Sequence, residues 1–257
     1  MMWPSPPTST GPAVRVGGLV YAYANKPVLN GLSFEVRAGE LLALLGHNGA
    51  GKTTTFRILA GLLRPDAGEV VIGGVNLRDD PKAARAACAF LPDEPLLYTQ
   101  LSALENLAAY AALWGVPSAQ ARERARALLQ EADLWAVRHA LTSTYSRGMK
   151  QKLAICAALL HQPRVLLMDE PLSGLDVEAS MWARALLRSF VESGGAVVFT
   201  SHTPELVEAV ADRVLILRGG VASYEAVAAQ ISRDGGLLSV FQRDFAGSPL
   251  VFTEGRA

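Results

Sequence analysis

An eight-residue stretch carries the clearest chemical signal in this chain, and it reads Gly46-His47-Asn48-Gly49-Ala50-Gly51-Lys52-Thr53. It fits the pattern G-x-x-x-x-G-K-[ST] of a phosphate-binding loop. Glycines let the backbone direct several N–H groups at one anion, and a helix that begins there adds partial positive charge. Lys52 can reach the β- and γ-phosphates of a nucleotide, and the Thr53 hydroxyl can bind Mg²⁺. The stretch therefore predicts a site for a nucleoside triphosphate and its metal.

The sequence on either side of this loop fits a strand followed by a helix. Residues 41–45 form a short, wholly apolar run, as expected of a strand that is buried on both faces. Residues 54–60 have a helical pattern that ends before Gly61, and we include Thr54 in the predicted binding set. The alternative is a glycine-rich turn that binds nothing, and the strand–loop–helix context argues against it.

Asp169 and Glu170 form a second candidate group, directly after the apolar residues 165–168. A carboxylate at the end of a buried strand is costly to desolvate unless a cation neutralises it. Beside a phosphate-binding loop that cation is Mg²⁺, which Asp169 would bind. Glu170 could then orient the attacking water and take its proton. The alternative, an ordinary acidic pair before the turn at Pro171, is disfavoured once the phosphate-binding loop is taken into account.

Two further anion contacts are suggested by single positions. His202 follows the apolar run 196–200 and could bond to a γ-phosphate, although a lone histidine is more often structural. Ser146-Arg147-Gly148 begins a predicted helix, with Ser146 near the N-cap, so the helix N-terminus is another anion site. The sequence shows no obvious arginine for the chain's own phosphate. A second copy presenting this helix end would supply the missing contact in trans.

Composition narrows the class of protein. The chain has 257 residues, half of them hydrophobic, with 24 basic and 24 acidic side chains. This charge balance argues against nucleic acid as the main partner. Cys88 and Cys156 have no metal-like spacing and are interpreted as buried apolar residues in a reducing compartment. Residues 1–12 do not fit a signal peptide, and no apolar run reaches the length of a membrane span, so a flexible tail and a cytoplasmic location are expected.

Strand-like and helical runs alternate around the loop, which predicts an α/β fold with a parallel sheet and helices on both faces. The predicted strands are 14–23, 32–36, 41–45, 69–72, 88–91, 164–168, 196–200 and 214–217, with a turn at 24–27. Residues 102–160 read as an inserted helical block that opens with the capping box Ser102–Glu105. Helices are also predicted at 224–231 and 237–245. The acidic pair and His202 are expected at the carboxyl edge of the sheet, where ligands bind in such folds.

The order of these motifs resembles the ATP-binding subunit of an ABC transporter. The matching motifs are Walker A (46–53), the signature (145–149), Walker B (165–170), the D-loop (173–176) and the switch residue His202. The resemblance covers roughly 14–220 and implies a RecA-like P-loop NTPase core, an N-terminal antiparallel β subdomain and an inserted α-helical subdomain. The implied organisation is a tail (1–12), an ATPase domain (13–220, with core 13–92 and 161–220 and helical subdomain 93–160) and a C-terminal extension (221–257).

The resemblance also implies ATP and Mg²⁺ as ligands and assigns roles to further residues. Tyr23 matches the aromatic residue that stacks on adenine, although strand packing alone would also explain it. Two subunits enclose two ATP molecules head to tail, so Ser146 and Gly148 bind the γ-phosphate of the opposite subunit and Asp176 crosses the interface. The implied partners are a second ATPase subunit, as a homodimer, and an integral membrane permease at the inner face of the cell membrane.

The predicted site residues form three sets. The catalytic set is Lys52, Glu170 and His202. The nucleotide-binding set is Tyr23, Gly46, Asn48, Gly49, Ala50, Gly51, Lys52, Thr53, Thr54, Ser146, Gly148 and Asp176. The metal-binding set is Thr53, Asp169 and Asp93.

Two positions depart from the family pattern. The family usually has a Gln after a strand and a Pro, whereas Leu91-Pro92 is followed here by Asp93 and Glu94. A carboxylate at this position can bind Mg²⁺ or water but is charged where Gln is neutral. The signature reads Tyr-Ser-Arg-Gly-Met instead of Leu-Ser-Gly-Gly-Gln, and it keeps Ser146 and Gly148. Exporter-type subunits carry similar signatures, and residues 237–241 resemble the tail of such subunits.

The main hypothesis is therefore an ATPase that powers a membrane transporter, in the direction of export. The alternative is a soluble ABC ATPase that acts on ribosomes or DNA, but such proteins usually have two cassettes or a long coiled-coil insertion, and basic surfaces. A P-loop kinase is a third hypothesis, and it would leave the signature and the D-loop unexplained.

Overall fold

The computed structural model describes residues 11–233 and 236–244, and the strands of this part form two sheets. The strands are β1 (Val14–Tyr23), β2 (Lys26–Val36), β3 (Leu41–Gly46), β4 (Ala67–Ile72), β5 (Val75–Asn76), β6 (Cys88–Leu91), β7 (Val165–Met168), β8 (Ala196–Thr200), β9 (Arg213–Arg218) and β10 (Val221–Val227). The smaller sheet is antiparallel, in the order β2-β1-β4-β5. The central sheet has the order β10-β9-β3-β8-β7-β6 and is parallel except for β10.

Helices connect the strands of the central sheet, as parallel strands require crossover connections. The described helices are α1 (Lys52–Leu59), α2 (Pro81–Ala86), α3 (Ala103–Leu113), α4 (Ser118–Glu131), α5 (Arg147–Leu159), α6 (Val177–Glu192), α7 (Pro204–Val210), α8 (Ala228–Arg233) and α9 (Leu237–Asp244). In the part of the chain that the structure covers, none of these combines the length and apolarity needed to traverse a bilayer.

The two faces of the central sheet belong to different hydrophobic clusters. Leu42 and Leu44 of β3 pack with α1 and the antiparallel sheet, whereas Leu41, Ala43 and Leu45 pack with the helices α3 to α7. All five residues are essentially inaccessible to solvent. Because successive side chains of a strand point to opposite faces, this apolar run is buried on both sides, and β3 is fixed in register at the middle of the sheet.

The helical block between β6 and β7 is built on α3, α4 and α5, which pack against one another. The predicted capping box at the start of α3 is confirmed, because Ser102 accepts a hydrogen bond from the Glu105 N–H and the Glu105 carboxylate accepts one from the Ser102 N–H. Buried Asn106 bonds to both the N–H and the carbonyl of Tyr98. The segment that leads from β6 into this block is therefore anchored by a side chain of α3.

The observed elements match most predicted ones, and strands 14–23, 88–91 and 196–200 have the predicted bounds. The predicted helix 224–231 is wrong for 224–227, because this segment belongs to β10 and pairs with β9. The turn predicted at 24–27 is restricted to Ala24 and Asn25, since pairing of β1 with β2 begins at Lys26. The predicted helix 237–245 is present to Asp244, and residues 1–10 and 245 onward lie outside the described part. The domain limits stay a prediction.

Both cysteines are buried and free, as the sequence predicted. Burial raises the pKa of both thiols to about 12. They are therefore protonated packing residues at physiological pH, in keeping with the interpretation as small apolar side chains.

Candidate functional site

The phosphate-binding loop lies between β3 and α1, and two of its glycines are required by close contacts. A Cβ at Gly46 (φ +150°) would lie 2.6 Å from the Leu217 carbonyl oxygen, and one at Gly51 (φ +108°) would lie 2.7 Å from Leu29 Cδ2. Among the described residues, no side chain caps the start of α1 after Gly51. The first N–H groups of this helix are therefore available to an anion, as the sequence pattern predicts.

Lys52 is folded over the loop that precedes it. Its Nζ donates to the carbonyl oxygen of Gly46 at 2.7 Å and to that of His47 at 3.2 Å. Burial lowers the pKa of Lys52, while the nearby charges of Glu170 and Asp169 act in the opposite direction. A bound phosphate would add negative charge beside the ammonium group and would favour its protonated form.

Asp169 is held by two hydroxyl groups at the carboxyl edge of the central sheet. Thr53 Oγ1 donates to Asp169 Oδ2 at 3.2 Å, and Thr200 Oγ1 donates to Asp169 Oδ1 at 2.6 Å. The carboxylate is almost fully buried, with the residue only 8% exposed. A cation beside Thr53 would neutralise this charge, which otherwise carries a desolvation penalty.

These ligands suit Mg²⁺ bound together with a nucleotide. Mg²⁺ prefers hard oxygen ligands and is commonly held by one or two protein groups plus phosphates and waters. The Thr53 hydroxyl and the Asp169 carboxylate are in contact and provide such oxygens. Within 11–233 and 236–244 there is no cluster of three or more His, Cys, Asp or Glu residues suited to a metal ion. The two protein oxygens that are in contact, those of Thr53 and Asp169, fit a metal whose coordination would be completed by phosphates and water.

Glu170 and His202 are paired beside this carboxylate. His202 Nδ1 lies 2.9 Å from Glu170 Oε2, and the His202 N–H donates to the same oxygen at 3.3 Å. Burial raises the pKa of Glu170, and the contacts with His202 partly offset that effect. A carboxylate with a raised pKa, held in place by an imidazole, is suited to accept a proton from water.

The signature helix and the D-loop meet at their helix N-termini. Ser146 caps α5 by accepting from the Met149 N–H at 3.2 Å, and Asp176 caps α6 by accepting from the Ala179 N–H at 2.8 Å. A Cβ at Gly148 would lie 3.7 Å from Asp176 Oδ2, so the two termini are neighbours. The two predicted trans-acting segments therefore form one surface of the subunit.

Tyr23 and Asp93 occupy more exposed positions. Tyr23 is 41% exposed, and its ring makes an edge contact with that of Tyr21 at a centroid distance of 4.8 Å. Tyr21 pairs with Leu29, which in turn lies against Gly51 of the loop. Asp93 is exposed and follows β6, the strand beside β7. Their contacts to nucleotide and metal stay predictions.

Sequence reasoning missed three residues that connect the motifs. Thr200 joins the two residues of the acidic pair, and its only sequence signal is its place at the end of a buried strand, before His202. Gln151 of α5 donates to the Pro171 carbonyl oxygen at 3.0 Å. The Arg147 guanidinium packs on Gly174, which leaves no room for a larger residue there without moving the arginine.

Comparison with known proteins places these motifs in a family. Residues 29–173 match the family model described as ABC transporter. The linearmycin resistance ATP-binding protein LnrL of Bacillus subtilis is 36% identical over 199 residues, which are 77% of this chain and 64% of that protein. The doxorubicin resistance ATP-binding protein DrrA of Mycobacterium tuberculosis is 34% identical over 226 residues, 87% and 68% of the two chains. This chain thus spans about two thirds of the length of these relatives.

Solved structures give the same result. The structure of an ATP-binding subunit of an ABC transporter superposes with a TM-score of 0.83 at 30% identity, over 90% of this chain and 99% of the other. The structure of cbiO1 from Clostridium perfringens has a TM-score of 0.78 at 23% identity, over 91% and 96% of the two chains, and supports the fold. The predicted fold class, a P-loop NTPase with an antiparallel β subdomain, is confirmed. The sequence match, the relatives and the shared fold show that this chain belongs to the ABC transporter family, among its ATP-binding proteins.

Proposed function

We propose that the protein binds ATP with Mg²⁺ and that its hydrolysis of ATP powers a membrane transporter, in the direction of export. The observation that carries this proposal is the convergence of three groups at one edge of the central sheet. These are Lys52 with the loop amides, the Thr53–Asp169 contact, and the Glu170–His202 pair. The relatives named as drug-resistance ATP-binding proteins support the export direction.

The chemistry follows from the position of each group. The loop amides and Lys52 would hold the β- and γ-phosphates, and Thr53 and Asp169 would hold the metal, which would supply charge neutralisation. Glu170 accepts a proton from the water that attacks the γ-phosphorus, while the bond to the leaving oxygen of ADP breaks. His202 fixes the Glu170 carboxylate, and in this proposal it would also bond to the γ-phosphate.

A second copy of the subunit completes the proposed site. Ser146 and Gly148 would meet the γ-phosphate of the opposite subunit, with Asp176 at the interface. Beside Asp176, Val177 and Met181 are 78% and 65% exposed and lie one turn apart on α6. Such an exposed apolar pair is suited to be covered by a partner copy.

The proposed permease contact lies on the helical block. Leu96 and Trp114 are exposed there, beside a cleft of about 120 Å³ that Pro92 and Tyr110 also line. Pro92, one of the residues that line the cleft, directly precedes Asp93 in the sequence. A side chain of a permease helix seated in this cleft would hold the subunit at the inner face of the membrane and would lie beside the segment that carries Asp93.

The test is the variant Glu170→Gln, with Glu192→Gln at the exposed end of α6 as the matched control. Gln keeps the size of the side chain but removes the base, so we expect kcat to fall by about 10²- to 10⁴-fold. ATP binding, measured by calorimetry, should persist, and light scattering should detect a nucleotide-dependent dimer. The control should match the wild type. Hydrolysis by Glu170→Gln at the wild-type rate would exclude Glu170 as the general base.

A further inference from the structure

Thr200 links the two acidic residues of the site through one hydroxyl group. It is the last residue of β8, which lies between β3 and β7, and it is fully buried. Its Oγ1 donates to Asp169 Oδ1 at 2.6 Å and accepts from the Glu170 N–H at 2.9 Å. The Thr200 hydroxyl therefore donates its hydrogen to Asp169, the predicted metal ligand, and accepts a hydrogen bond from the backbone of Glu170, the predicted base.

The first of these bonds fixes the rotation of the Asp169 carboxylate. With Oδ1 held by Thr200, the other oxygen, Oδ2, faces Thr53 at the start of α1. Oδ2 is therefore the oxygen that Asp169 would offer to a metal held together with Thr53. Without the Thr200 hydroxyl, a carboxylate that is 8% exposed would have one oxygen unpaired and would be free to turn.

The second bond supports an unfavourable backbone conformation. Glu170 has φ +52°, in the left-handed region that residues other than glycine rarely occupy. Such a conformation persists only where neighbouring groups hold it. Thr200 holds the Glu170 N–H, and His202 holds the carboxylate at the other end of the same residue.

We propose that Thr200 is a positioning residue for ATP hydrolysis: its hydroxyl directs Asp169 at the metal and holds the backbone of Glu170 so that the carboxylate faces the attacking water. This inference rests on the roles proposed above for Asp169 and Glu170. Serine could make both bonds, whereas valine has nearly the shape of threonine but can make neither.

The test compares Thr200→Val with Thr200→Ser. In Thr200→Val we expect kcat to fall by about 10- to 100-fold, the effect of losing a hydrogen bond to a charged group. Two readouts do not depend on turnover. The gain in ATP affinity on adding Mg²⁺, measured by calorimetry against EDTA, should shrink, while the affinity in EDTA stays unchanged because the loop is intact. The Glu170 amide should exchange hydrogen faster. Thr200→Ser should restore all three properties.

Thr142→Val is the matched control. Thr142 is equally buried, and its hydroxyl donates to the carbonyl oxygens of Tyr98 and Leu101 at 3.0 Å each, in the helical block. It should leave the Mg²⁺ effect and the Glu170 exchange unchanged. If Thr200→Val does not fold, Thr200→Ala carries the same expectation.

The outcomes separate this inference from the proposed function. If the wild type hydrolyses ATP and a folded hydroxyl-free variant keeps its Mg²⁺ effect and Glu170 exchange, the positioning role is wrong and the proposed function stands. If the wild type itself neither binds nor hydrolyses ATP, the proposed function is wrong, and this inference with it.

Discussion

Asp176 provides a test that separates folding from function, because one side chain is assigned to both. It is the N-cap of α6, where its Oδ1 accepts from the Ala179 N–H at 2.8 Å, and it is also the residue expected to cross the dimer interface. Asp176→Ala removes the cap and the charge. Asp176→Asn keeps a good capping oxygen and removes only the charge.

The magnitudes differ for the two variants. Loss of a capping side chain costs about 0.5–2 kcal/mol, and loss of a negative charge at a helix N-terminus about 0.3–1 kcal/mol. For Asp176→Ala, which loses both contributions, we therefore expect about 1–3 kcal/mol of destabilisation, a fall in Tm of about 2–12 °C. For Asp176→Asn the loss should be about 0.3–1 kcal/mol, with a correspondingly small change in Tm.

Thermal unfolding and ATPase assays on both variants decide the question. If Asp176 acts across the interface through its charge, both variants should lose ATPase activity, although Asp176→Asn is almost as stable as the wild type. Asp80→Ala is the control, because Asp80 caps α2 through the Ala83 N–H and has no assigned role in the site. A wild-type Tm for Asp176→Ala would refute the capping argument, and full activity of Asp176→Asn would refute the interface role.

Two further predictions concern the phosphate-binding loop and His161, which follows α5. Gly46→Ala should weaken ATP binding at least tenfold, as measured by calorimetry, because the alanine Cβ would lie 2.6 Å from the Leu217 carbonyl oxygen. An unchanged affinity would contradict the close-contact argument. Burial lowers the pKa of His161 below its usual 6.5 in the folded protein. As the pH falls below 6.5, this histidine therefore binds a proton in the unfolded chain before it does so in the folded chain. The free energy of unfolding decreases as a result. The slope contributed by His161 is at most about 1.4 kcal/mol per pH unit, and His161→Gln should show a shallower pH dependence in urea unfolding; equal slopes would argue against it.

The buried strands could be predicted because their signal is local. In β6 and β8 nearly every residue is apolar and buried, on both faces of the sheet. The apolar run in the sequence therefore has the same limits as the strand. The segment 221–227 lacks such a run, and its state depends on pairing with β9. The missed signal was Gly219-Gly220, a two-residue turn with both φ values positive, which is typical of a hairpin.

In the candidate site, too, local sequence motifs could be predicted, whereas contacts between distant residues could not. Residues that are adjacent in a motif, such as Lys52 and Thr53, could be found from their order alone. Thr53 could be linked to Asp169, 116 positions away, only through the metal that both were predicted to bind, and Thr200, 31 positions away, was not found. Their hydroxyls meet the carboxylate only because β3, β7 and β8 are neighbours in the sheet, and no local pattern encodes that order.

The hydrogen bond from Gln151 to the Pro171 carbonyl oxygen has a mechanical consequence. It is buried and ties the signature helix, within one subunit, to the turn that follows Glu170. Rotation of the helical block about a distant axis would break this bond, whereas rotation about an axis through the bond would keep it. The pivot for any rocking of that block should therefore pass close to Gln151.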